Sequence, residues 1–381
     1  MAETKDKKEK NTKPVINLIH GHNGKNSRYA WQEVLWRWPQ WSGRQFVVAA
    51  SITVGLSMML LVAAPAIWPT EAANNGIKTV PLNNNNTDNL IVVGEGPWAR
   101  HIDGVWVDDP AEVNRWPVGI MVENLLSVRP HWGLSDASVI YETLAESGIP
   151  RFLVVYDGPG HDVPMIGPVR SARPYYLEWI SEYDGLYAHA GGSPQALQSI
   201  SGLGINAVNG ISSGYQYFWR DPAYGAPHNL FTNSEHMGRA LRDRELLDKT
   251  PTYEPWIFKD DPPLSERPTD DRINPTISFS SASYEAHYEY DTDRNTYRRF
   301  NGGDEQIDRN TREPLRVNNI VVVRTPGETS AGEKGRILIN VTGEGTALVF
   351  RDGTVIEGTW KKPSRLERTR FYDADNEEIS L

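Results

Sequence analysis

The sequence predicts an α+β protein. A mixed sheet flanked by helices forms an N-terminal domain, a small antiparallel all-β domain follows, and one N-terminal transmembrane helix precedes both. Three observations predict it. The run from Phe46 to Trp68 carries no charge over 23 residues. Between about residues 100 and 258, short β-branched runs alternate with helical spacing. From residue 275 to Leu381 the helical period nearly vanishes and turn-bounded β runs replace it.

The chain opens with a basic tail. Residues 1–45 hold nine Lys/Arg against four Asp/Glu, in a molecule whose net charge is −10. Low hydrophobicity and lysine richness predict a short disordered cytoplasmic segment, with His20 and His22 solvated within it. Phe46–Trp68 would be about 34 Å long as a helix, enough to cross a hydrocarbon core of roughly 30 Å. Trp36, Trp38 and Trp41 before it and Trp68 after it suit the headgroup level, and the positive side stays inside. The run is apolar on every face, unlike an amphipathic core helix, and its basic leader is longer than a signal peptide's, while the small residues Ala63-Ala64-Pro65-Ala66 leave cleavage open. Residues 69–99, with Asn83-Asn84-Asn85-Asn86, read as a flexible linker.

The first folded domain is expected over residues 100–259. Val118–Val122, Val139–Tyr141 and Phe152–Tyr156 read as strands, Pro174–Tyr183 as a helix, and Leu186–Ala190 as a returning strand. Ser193-Pro194 opens a helix, with Ser as N-cap and Pro at the first helical position. Ser234–Leu246 is the last helix, capped by Asn233 or Ser234. The acidic, proline-bearing stretch from Asp260 to Asp271 marks the boundary. Over residues 275–381 the β module follows, with a hairpin turning at Asp352-Gly353.

Composition narrows the function. The 381 residues contain no cysteine, which excludes disulfides, thiol catalysis, Cys-ligated metal and lipid attached through a cysteine. The acidic balance argues against a nucleic-acid partner. No P-loop, dinucleotide fingerprint, His-Glu-x-x-His or EF-hand loop is present, and His101, His131, His161, His236 and His287 are scattered, so neither a metal nor a cofactor is expected.

Several ordered blocks resemble a known family. Pro117–Asn124, Arg129-Pro130, Val139–Glu142, Gly148–Phe152, Gly167–Arg173, His189–Pro194, Phe218–Asp221 and Pro227–Leu230, then Asn318–Val322 and Phe350–Lys362, are similar to the YerB-like bacterial envelope proteins. These are built on a domain of unknown function. The resemblance implies a two-domain extracytoplasmic body and no particular activity. Many members are held by a lipidated cysteine, a role that Phe46–Trp68 takes here. The family pattern also runs on past Glu378-Ile379-Ser380, which implies that a hairpin of Phe371-Tyr372 with Ile379-Ser380 has a bare outer edge.

The polar residues Glu142, Arg151, Arg170, Arg173, His189, Arg220, Asp221 and His228 fall at strand ends or in the loops after them, where open α/β sheets place ligands. With the Gly192 and Ser193 amides at a helix start, they suit a carboxylate or phosphate. The competing expectation is an Arg–Glu network that only fixes loops, with Glu142 pairing Arg151 or Arg170. The function expected is a membrane-anchored, single-pass extracytoplasmic binding or adaptor protein of the cell envelope. Its partners would be the membrane through Phe46–Trp68 and an envelope polymer or protein. The alternative is an envelope-polymer hydrolase or transferase using Glu142, Asp221, His189 or His228 as acid and base; Ser193 with His189 or His228 and Asp221 has the residue types of a triad but lacks the Gly-x-Ser-x-Gly elbow.

Overall fold

The computed structural model describes residues 12–19, 78–79, 92–93, 97–158, 162–329 and 335–381. Two units separate. One comprises residues 1–22 with 98–381, and the other residues 23–97. The second unit shows one antiparallel ladder, Lys78–Thr79 against Val92–Val93, within the stretch expected to be linker. Phe46–Trp68 lies outside the described residues. Among those described, no helix is long and apolar enough to cross a membrane.

The first unit is organised by one large mixed sheet. Its strands are β1 (Thr12–Ile19), β2 (Val118–Glu123), β3 (Val139–Leu144), β4 (Pro150–Tyr156), β5 (Leu186–His189) and β6 (Ala207–Asn209). Helices α1 (Pro174–Ser181) and α2 (Pro194–Gly202) frame β5. A short ladder of β7 (Trp219–Arg220) with β8 (Leu230–Phe231) and helix α3 (Ser234–Asp243) follow. The C-terminal half supplies β9 (Thr276–Ser278), β10 (Glu285–Asp291), β11 (Thr296–Asn301), β12 (Asp304–Glu305) and β13 (Arg316–Val317). It ends with β14 (Asn319–Thr329), β15 (Ile337–Ile339), β16 (Gly343–Arg351), β17 (Thr354–Lys362) and β18 (Arg370–Tyr372).

The large sheet runs β6-β5-β2-β4-β3-β1-β14-β16-β17-β18, with β15 added to β14. Only β5 against β2 and β6 is parallel. Both faces are covered, so β2, β3 and β4 are buried along their whole length and are mostly apolar, with Glu123, Glu142 and Arg151 as their charged members. On one face Val139, Tyr141, Leu153, Val321 and Val349 pack beneath α1. On the other, Ile140, Phe152, Ile320 and Val322 meet the five-stranded sheet of β9–β13. That second sheet alternates buried and half-buried positions along β10 and β11, as a sheet with one buried face should.

Local signals held where they were strong. Ser193 accepts the Ala196 amide and Pro194 starts α2, while Asn233 accepts the His236 amide at α3. Asp352 and Gly353 turn the β16–β17 hairpin with φ of 50° and 74°. Three expectations are corrected. The stretch read as disordered cytoplasmic tail contributes β1, which pairs with both β3 and β14. The physical reason is the run Val15-Ile16-Asn17-Leu18-Ile19, β-forming residues hidden between lysine-rich flanks. A single crossing by Phe46–Trp68 would separate β1 from the sheet it belongs to, so a cytoplasmic residue 12–19 does not fit this fold. Second, the C-terminal strands are not a free-standing module, because β14–β18 extend the large sheet. Third, the edge expected to be bare is covered. Phe371 and Ile379 pair as the expected hairpin, and beyond it Leu381 is hydrogen-bonded to both Ile257 and Lys259.

Candidate functional site

The loop 166–173 carries two of the expected arginines, and it is stitched down from three sides. Arg170 N–H donates to the Met121 carbonyl, Val169 N–H to Leu230, and Ala172 N–H to Gly191. This backbone lacing places Arg170 and Arg173 beside the ends of β2 and β4. Two ionic groups result. Glu146, in the turn after β3, takes Arg173 Nη2 and, at 3.5 Å, Arg151 Nη2. Glu123, the last residue of β2, faces Arg170 Nε at 3.2 Å and His228 Nδ1 at 2.7 Å. Arg151 also donates to the Ser171 carbonyl at 2.8 Å, and Arg170 to the Pro227 carbonyl at 3.3 Å.

The electrostatics join the two groups. Burial, then the neighbouring Arg151 charge, lowers the Arg173 pKa. Burial lowers that of Arg170 as well, with Glu123 opposing. Burial alone would raise Glu146, but Arg173 and Arg151 hold its carboxyl below the usual range. Three guanidinium groups thus share two carboxylates, leaving one positive charge uncompensated. Arg170 and His228 are its outward members, with side chains 22% and 30% exposed.

The other expected residues are placed differently. Glu142 does not pair with Arg151 or Arg170. It is buried, and it accepts from Arg299 Nη2 of β11 at 2.7 Å and from Asn124 Nδ2 at 2.8 Å. Arg299 continues through Tyr288 and Gln306. Gln306 Nε2 meets His131 Nδ1 at 3.2 Å, and His131 Nε2 meets the Glu123 carbonyl at 2.7 Å. Burial pushes His131 down to about 3, so the ring is neutral. With Nδ1 accepting from the Gln306 amide, Nε2 carries the proton donated to Glu123. A buried polar chain therefore runs from Glu142 to the backbone of the surface cluster.

His189 is buried, stacked on Tyr187 at 5.2 Å, and its Nδ1 is 2.7 Å from the Gly191 carbonyl. Ser193 is occupied by the helix cap, and its own amide donates to the Ala172 carbonyl. Arg220 donates to Asn229, and Asp221 accepts the Ala223 amide. Among the described residues no hydrogen bond links Ser193 to a histidine, or either histidine to Asp221, so the hydrolytic arrangement is not assembled. The Gly191–Ser193 segment does lie against the arginine loop, through the Ala172–Gly192 bridge and the Ser193 amide on the Ala172 carbonyl, while the His189 ring is turned to the Gly191 carbonyl. Glu123 and Glu146, the carboxylates that organise the cluster, were not among the expected site residues. Their signal was position alone: Glu123 ends an otherwise apolar strand, and Glu146 precedes a Ser-Gly turn.

This architecture defines a mixed-sheet α+β body in which an N-terminal half carries a surface ionic cluster and a β-rich half closes the same sheet. The chain matches the N-terminal domain of a protein of unknown function, DUF3048, over residues 102–247, and the DUF3048 C-terminal domain over 275–381. It is 30% identical over 250 residues to "Putative lipoprotein YerB" of Bacillus subtilis, covering 65% of this chain and 73% of that protein. The crystal structure of B. subtilis YerB superimposes with a TM-score of 0.64 at 26% identity, covering 74% of this chain and 92% of that one. The chain belongs to the DUF3048 family.

Proposed function

We propose that this protein is a membrane-associated, extracytoplasmic binding or adaptor protein of the bacterial envelope, and that the Arg151–Arg170–Arg173 cluster holds an anionic group of its ligand. One observation carries the site: three arginines share Glu123 and Glu146, so the cluster keeps a net positive charge with Arg170 at its outer edge. The lipoprotein description of the B. subtilis relative supports the compartment. Because no cysteine is available for a lipid, the apolar run Phe46–Trp68 is the segment that would meet the bilayer.

Arg170 is the residue to test. Arg173 is nine-tenths buried and holds Glu146 together with Arg151, so its removal would mix a binding defect with lost packing. Arg170→Gln should abolish saturable binding of inorganic phosphate or acetate, followed by calorimetry, and move the thermal midpoint little. Unchanged binding of both anions by this variant refutes the site.

A further inference from the structure

The central sheet contains a slot. β3 and β14 are parallel neighbours that never touch, because β1 lies between them and is antiparallel to both. At about 4.8 Å per strand, their edges stand roughly 10 Å apart, the width of one inserted strand. Both faces of the slot are roofed. Ile140, Glu142, Ile320 and Val322 line one face; Val139, Tyr141, Val321 and Val323 line the other, with Tyr141 stacked on Trp179 at 5.1 Å. An empty slot would leave two rows of backbone N–H and C=O groups buried without partners. The fold therefore demands a strand there, and the register shows what kind. Position 16 falls opposite Glu142 and Val322, position 18 opposite Ile140 and Ile320, and position 17 opposite Tyr141 and Val321.

The strand that sits there is poorly suited to permanence. Pro14 has no N–H to give a ladder, and Lys13 and Asn17 are weak strand formers. Pairing to β3 extends over only Ile16–Ile19, whereas β14 takes all eight residues. The 78 residues from His20 to Pro97 separate β1 from the rest of its unit. Closing a loop of that length holds the resident strand less tightly than a short hairpin connection would.

We propose that the β3–β14 slot is a strand-acceptor site for a protein partner, with Thr12–Ile19 as its exchangeable occupant. The partner is an extended segment of another chain, apolar at the positions matching Ile16, Leu18 and Ile19 and free of proline at those matching Ile16–Ile19, which pair on both sides. Its backbone is held from both sides, and its alternate side chains select the register. This deepens the adaptor reading above and rests on it.

The test uses the purified full-length chain in detergent and a fluorescein-labelled peptide of the sequence Thr12–Ile19. Asn17→Pro, which breaks the resident strand, should tighten apparent peptide affinity at least roughly tenfold by freeing the site. A backbone N-methylated peptide should not bind. The chain is free of cysteine, so the paired substitutions Leu18→Cys and Ile140→Cys give a clean lock, since these residues are directly opposed. Oxidation should close an intramolecular disulfide and abolish peptide binding, and reduction should restore it. If Asn17→Pro does not fold, the lock decides alone. Equal binding by oxidised and reduced forms, or equal binding of the N-methylated peptide, overturns the proposal. None of these readouts depends on compartment or on Arg170, so loss of the anion site or of the extracytoplasmic placement leaves the slot separately testable.

Discussion

Glu142 shows how much a single residue can owe to a distant one. Its carboxylate meets Arg299, 157 positions away, with neither side chain appreciably exposed. Nothing near Glu142 in the sequence announces that partner, which is why the residue looked like part of the arginine cluster. Removing one member of such a pair leaves a bare buried charge, at about 3–5 kcal/mol. Arg299→Met should therefore lower the denaturation midpoint steeply, and the double change Glu142→Leu with Arg299→Met should recover much of the loss; a double variant as unstable as the single would show that the pair contributes more than mutual neutralisation. A pH effect belongs to Asp136. Burial, then repulsion from Asp308, raises its carboxyl to about 6 from an ordinary value near 3.8. The folded state thus holds a proton that the unfolded state has released, and stability falls as pH rises from about 4 to 6. Asp136→Asn should raise the unfolding free energy at pH 8 by about 1 kcal/mol, allowing for screening, and change it little at pH 4. Equal effects at both pH values would mean that the group titrates normally.

At the scale of elements, legibility followed locality. The caps at Ser193 and Asn233 and the Asp352-Gly353 turn are written in a few adjacent residues, and the structure uses each of them. β1 was illegible because lysines and Pro14 mask a five-residue β run whose partners lie more than a hundred residues away. The loop 166–173 was visible as Arg-x-x-Arg, but its partners Glu123 and Glu146 come from different strand ends, so only the assembled sheet reveals the charge balance. The hairpin turn also offers a sharp test. Gly353 has φ of 74°, and a Cβ there would meet Tyr290 at 2.5 Å and Pro268 at 2.6 Å. Gly353→Ala combines left-handed strain with a clash against β10, and should cost about 2–4 kcal/mol. Because the turn touches the second sheet, both halves should lose stability together in one transition. A drop confined to a separate sub-transition would show that the two sheets unfold independently.

For the whole molecule, the main consequence is that the two halves are packed as one body. The buried pair Glu182–Lys362, 3.0 Å apart, ties the C-cap of α1 to β17, as Glu142–Arg299 ties β3 to β11. Arg368 lies 3.6 Å from the Trp256 ring centroid and 4.0 Å from that of Tyr183, so the segment after α3 is clamped against the C-terminal strands. β1 completes this body by joining β3 to β14, and that join constrains the chain's placement at a membrane. If residues 12–19 belong to the same sheet as residues 319–326, both lie on one side of the bilayer. The absence of cysteine makes this directly measurable with single introduced thiols. Glu3→Cys and Leu366→Cys, the latter at a position 63% exposed, should both react with a membrane-impermeant maleimide in intact cells. Labelling of residue 366 with residue 3 protected until the cells are opened would place the N-terminus inside. In that case Phe46–Trp68 would cross the membrane, and the slot between β3 and β14 would have to be filled by a strand from elsewhere.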